Sequence, residues 1–74
     1  MNPYEILGVR YDADEATIVQ AYESLIRQFP PSKFPEEFRE ITRAYNRIKS
    51  KKGRLEYYMF HREERLSSHN LNQT

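Results

Sequence analysis

Gln28-Phe29-Pro30-Pro31-Ser32-Lys33-Phe34-Pro35 separates two strongly periodic segments. Before it, Ile18, Ala21, Tyr22, Leu25 and Phe29 recur at steps of three and four. After it, Phe38, Ile41, Tyr45 and Ile48 recur in the same way. Such spacing places each set on one face of a helix. Pro30 and Pro31 lack backbone donors and disfavour helical geometry in the residue before each, so the first helix should stop near Phe29. Pro35 suits the first turn of the next helix, where Glu36 and Glu37 complement the positive end of the dipole. Two amphipathic helices joined by so short a stretch hide their apolar faces by folding back on each other. The expectation is an antiparallel helical hairpin with a stiff, proline-rich tip.

Outward from the hairpin, Pro3 to Gly8 reads as a helix of one or two turns. Asn2 is its N-cap, Pro3 its first residue and Gly8 its left-handed terminus. Tyr4 and Leu7 share a face, and packing must hold so short a helix. Asp14 is the expected N-cap of the second helix, followed by Glu15. The third helix is expected from Pro35 to about Ser50. Lys51-Lys52-Gly53 then reads as a helix ending, because glycine and cations both suit a C-terminus. A fourth helix is expected from Arg54 to about Glu64, with Leu55 and Tyr58 inward. Residues 1–64 thus form one helical domain, and 65–74 a polar tail or the start of a linker. The expected core is Leu7, Ile18, Tyr22, Leu25, Phe38, Ile41, Tyr45, Ile48 and Leu55.

The totals constrain function. A chain of 74 residues makes one small domain. It has no cysteine, which removes disulfides and zinc–thiolate sites. No apolar run approaches the roughly 18 residues of a membrane span. The first residues lack the basic start and apolar stretch of a signal peptide, which points to the cytoplasm. His61 and His69, the only histidines, lack metal-ligand spacing. There is no nucleophile–base pair or phosphate-binding glycine loop, so neither catalysis nor a cofactor is expected. Charge is unevenly spread although the net is only +1. Asp14, Glu15 and Glu23 face a lone Arg27 in the second helix. Arg39, Arg43, Arg47, Lys49, Lys51, Lys52 and Arg54 outweigh Glu36, Glu37 and Glu40 in the stretch that follows.

Pro3-Tyr4-Glu5-Ile6-Leu7-Gly8-Val9, Ala21-Tyr22, Phe38-Arg39-Glu40-Ile41, Ala44-Tyr45 and Arg54-Leu55-Glu56-Tyr57 together resemble the J-domain (DnaJ-like) family. The resemblance runs from about Asn2 to Phe60. It implies an all-α, four-helix fold with the second and third helices as a central antiparallel hairpin, in agreement with the periodicity. It also places Tyr22, Tyr45 and Tyr57 inside. The activity it implies is recruitment of a DnaK-type heat-shock chaperone and stimulation of its ATPase. That activity uses a His-Pro-Asp motif at the hairpin tip and a basic outer face on the second helix.

Here the tip reads Pro30, Pro31, Ser32, followed by Lys33. Imidazole and carboxylate are both absent, and Ser32 offers a neutral hydroxyl. The second helix presents Val19, Gln20, Glu23, Ser24 and Gln28, with Arg27 its one cation. An acidic face repels an acidic docking surface. The expectation is therefore a monomeric interaction module, an adaptor or regulator that does not stimulate the ATPase in the usual way. Its partner would be a DnaK-type chaperone or another J-domain protein. Possible partner contacts are Arg27, Arg43, Arg47, Lys51, Lys52 and Arg54. The alternative is a small helical nucleic-acid binder using the basic third helix, against which the near-neutral total argues. Tyr58, Met59 and Phe60 make a candidate exposed apolar patch.

Overall fold

The computed structural model describes the backbone of residues 2–70 and the side chains of residues 2–60. Four helices follow in order: α1 (Pro3–Leu7), α2 (Glu15–Gln28), α3 (Pro35–Ile48) and α4 (Lys51–Asn70). No strand occurs among the described residues. Local chemistry sets the early boundaries as expected. Asn2 Oδ1 accepts the Glu5 N–H at 2.9 Å while Glu5 Oε1 accepts the Asn2 N–H at 3.2 Å. This reciprocal pair satisfies two otherwise orphaned donors at the start of α1. Gly8 ends the helix at φ 71°, in the left-handed region. Asp14 caps α2 by accepting the Thr17 N–H at 2.9 Å. Its carboxyl is held below the usual range by the Thr17 hydroxyl and then by that N–H, both of which bind the ionised form.

The pairings along α2 and α3 run in opposite directions. The Tyr22 ring stacks on Tyr45 at 4.1 Å and its hydroxyl lies 3.4 Å from that of Thr42. Further along α2, Phe29 meets Phe34 edge to face at 5.3 Å. The central hairpin is therefore antiparallel. α3 touches all three other helices, and its apolar stripe is the spine of the core. The buried residues are Tyr4, Leu7, Ile18, Ile41, Ala44, Ile48 and Tyr57. Tyr22, Leu25, Phe29 and Tyr45 are half-buried against them.

Five expectations are corrected. Leu55 lies outside the core with 58% of its surface exposed, whereas Tyr57 is inward, as the family resemblance implied. Tyr58 is likewise outward, at 49%. Phe38 is only half-buried and stands apart from the core cluster. Lys51-Lys52-Gly53 begins α4 instead of ending α3. The interruption falls at Lys49-Ser50, because the Ser50 hydroxyl accepts the Gly53 N–H at 3.0 Å and caps the next helix. Starting α4 at Lys51 and not Arg54 is compatible with Tyr57 inward and Leu55 outward. α4 continues through Asn70, past the expected end near Glu64. The expected tail at 65–74 and both histidines lie outside the described side chains.

Candidate functional site at the hairpin tip and along α3

Pro30 at the end of α2 supplies the acceptor that closes the tip. Its carbonyl accepts the Lys33 N–H at 3.1 Å and the Phe34 N–H at 2.8 Å. The Phe29–Phe34 ring pair sits beneath this turn, and the Phe34 carbonyl then accepts the Phe38 N–H at 2.9 Å as α3 begins. The turn is thus preorganised by two backbone bonds and an aromatic base. It exposes Pro31, Ser32 and Lys33 and leaves Pro30 half-buried. Chemically the tip offers apolar ring surface, one hydroxyl and one ammonium.

On the outer face of α2, Gln20, Glu23, Arg27 and Gln28 are exposed, and Gln28 Nε2 donates to the Ser24 hydroxyl at 3.3 Å. Glu23 and Arg27 stand four residues apart without forming an ion pair. Among the described residues the one ion pair joins Arg10 and Asp12 at 3.1 Å, both highly exposed. Such a pair contributes little to stability.

The six cations named as possible partner contacts fall in different places on the fold. Arg27 lies on α2, away from the rest. Arg43 and Arg47 are exposed on α3, four residues apart, and the Arg47 guanidinium lies 5.9 Å from the centre of the Tyr57 ring. Lys52 faces the recess between α3 and α4 with Asn46, Arg47 and Ser50. Lys51 borders a different recess, beside Tyr11, Asp12, Leu55 and Tyr58. Arg54 is committed internally: its guanidinium donates to the Ile48 carbonyl at 2.9 Å and satisfies the end of α3.

A shallow groove adjoins the tip, lined by Pro31, Pro35, Phe38, Arg39, Thr42 and Arg43. Phe38 was expected in the core, not on the surface. Phe38 belongs to the apolar repeat of α3, and only the position of the tip over the first turn of the helix leaves it half-open. The expected patch on α4 is present, with Met59 65% and Phe60 79% exposed. No grouping of side chains fit to hold a metal occurs among the described residues. No described helix is long and apolar enough to cross a membrane.

Comparison with known proteins places this architecture. The model of the DnaJ domain matches residues 2–57. The chaperone protein DnaJ of Trichormus variabilis is 45% identical over 62 residues, covering 77% of this chain and 16% of that protein. That of Bdellovibrio bacteriovorus is 41% identical over 63 residues, covering 77% and 17%. The chain therefore spans about a sixth of the length of these relatives.

Proposed function

This chain belongs to the DnaJ domain family, and on that premise we propose that it is an interaction module that does not stimulate a DnaK-type ATPase in the usual way. The observation that carries this reading is the tip itself. The turn is well formed, yet Pro30 and Ser32 stand where the family resemblance implies His and Asp. Stimulation requires a ligand that favours one chaperone conformation over another, and a ligand shifts an equilibrium only by its differential affinity for the two states. Pro30 has no donor, and the Ser32 hydroxyl replaces a charged contact with a neutral one. Glu23 on the outer face of α2 also opposes encounter with an acidic surface.

An adaptor or regulator fits these features. It would bind through the shared fold a DnaK-type chaperone or another J-domain protein, as a cytoplasmic monomer and without catalysis of its own. The test is single-turnover ATP hydrolysis by a DnaK-type chaperone with and without the chain. No acceleration is expected. Severalfold acceleration would overturn the reading and assign the missing contacts to Pro31, Lys33 or Arg27. Restoring the motif with Pro30→His and Ser32→Asp should not suffice. Adding Val19→Lys, Gln20→Lys and Glu23→Arg should recover part of the activity.

A further inference from the structure

Between Ile41 and Leu55 there is no acidic residue, while Arg43, Arg47, Lys49, Lys51, Lys52 and Arg54 are all cationic. Arg54 is occupied by the Ile48 carbonyl, and none of the other five forms an ion pair. Two of these five, Arg47 and Lys52, border one recess at the elbow of α3 and α4, together with Asn46, Ser50 and Phe60. We propose that this recess docks a carboxylate-rich peptide segment of a protein partner, with one apolar side chain of the segment against Phe60.

Arg47 is the anchor. Its exposed guanidinium lies 5.9 Å from the centre of the buried Tyr57 ring, within reach of a cation–π contact. A planar guanidinium fork suits a carboxylate better than an ammonium does. Asn46 adds an amide donor, Ser50 a hydroxyl and Lys52 a second charge. Phe60, 79% exposed on the same wall, provides apolar contact that a bare phosphate backbone would not use. Glu56 also lines the recess, and Glu40 lies one turn before Arg43 on α3. These carboxylates limit the positive field to a few side chains, a footprint for a short acidic peptide and too small for a track of phosphates. α3 is about 21 Å long at about 1.5 Å per residue, so the recess lies far from the tip loop. It can be tested independently of the ATPase reading.

The experiment titrates the isotopically labelled full chain with the peptide Glu-Glu-Leu-Glu-Glu and follows its backbone amides by NMR. Saturable shifts are expected at Asn46, Arg47, Ser50, Lys52 and Gly53, weakening as salt is raised. In parallel fluorescence titrations, Lys52→Glu should weaken binding by at least about tenfold, and Lys33→Glu at the tip should leave it within about twofold. Phe60→Ser, an exposed change, should weaken the Leu-bearing peptide more than one with Gly in its place. Absence of saturation at low salt, shifts spread over all cationic residues, or equal loss on Lys33→Glu would each overturn the proposal. Tighter binding of a single-stranded oligonucleotide of equal charge would also overturn it, in favour of a nucleic-acid face. If Lys52→Glu fails to fold, the shift map of the unmodified chain decides alone.

Discussion

At the scale of single residues, two positions carry predictions that oppose simple expectation. Gly53 lies in the first turn of α4, where alanine would ordinarily favour a helix by about 1 kcal/mol. A Cβ there would meet the Arg47 carbonyl oxygen at 2.5 Å, which is backbone and cannot move aside cheaply. Overpacking of this kind costs about 1–3 kcal/mol, so Gly53→Ala should lower the urea midpoint. A raised midpoint would mean that the elbow opens freely. Asp14 carries a pH dependence. Its folded pKa lies below the ordinary 3.8, because the Thr17 hydroxyl and N–H stabilise the carboxylate. Its stabilising effect is therefore fully present above that ordinary unfolded value and is lost as pH falls through the lower folded value. Asp14→Asn keeps a capping acceptor without the titration. Thermal melts of the two proteins between about pH 5 and pH 2 should show the shallower acid decline for the variant. Parallel declines would remove Asp14 as the source.

At the scale of elements, α4 distinguishes pattern from packing. Tyr57 is 6% exposed and its ring contacts Tyr4 at 5.8 Å, whereas Leu55 is 58% exposed. Tyr57→Ala should cost about 3–5 kcal/mol by analogy with other buried aromatic deletions. Leu55→Ala should stay within about 0.5 kcal/mol, as for other surface changes. Chemical denaturation of both checks the face of α4 directly, and a large loss on Leu55→Ala would reverse it. α3 is the more demanding element because every other helix leans on it. Ile41, 5% exposed, should cost about 2–5 kcal/mol when replaced by alanine. A core this small rarely yields more than roughly 3–5 kcal/mol in all, so Ile41→Ala should be largely unfolded near body temperature by circular dichroism. An unchanged melt would be incompatible with the hairpin core.

At the scale of the whole molecule, the net charge of +1 and the division of the basic residues limit nonspecific attraction. Lys51 and Lys52 border different recesses, and Arg54 is engaged with Ile48. Binding to duplex DNA should therefore be weak and lost near physiological salt. Each phosphate neutralised contributes about −0.9 to the slope of log affinity against log salt, so the measured slope counts the cations engaged. Tight binding at physiological salt, abolished by reversing Lys51 and Lys52, would favour the nucleic-acid alternative over protein docking.

The proline stretch, the caps at Asn2 and Asp14, and the apolar steps through α2 and α3 act locally, so the hairpin and its tip were legible in the residue order. The same holds for the absence of an imidazole and a carboxylate from Pro30 and Ser32, which is a matter of residue identity. Periodicity did not fix the face of α4: the resemblance placed Tyr57 inward, but the apolar pattern also offered Leu55 and Tyr58, and the packing against Tyr4 and α3 receives Tyr57 alone. Ser50 and Gly53 were ambiguous for a related reason. Serine and glycine serve helix starts and helix ends alike, and the close approach of Gly53 to the Arg47 carbonyl selects between them. The groove beside Phe38 and the recess at Arg47 and Lys52 lie where the tip loop meets α3 and where α3 meets α4, so both depend on how consecutive elements are angled against each other. Side-chain sequence determines which helices form, but it is the crossing of α3 by its three neighbours that determines which cations are engaged internally and which are left exposed.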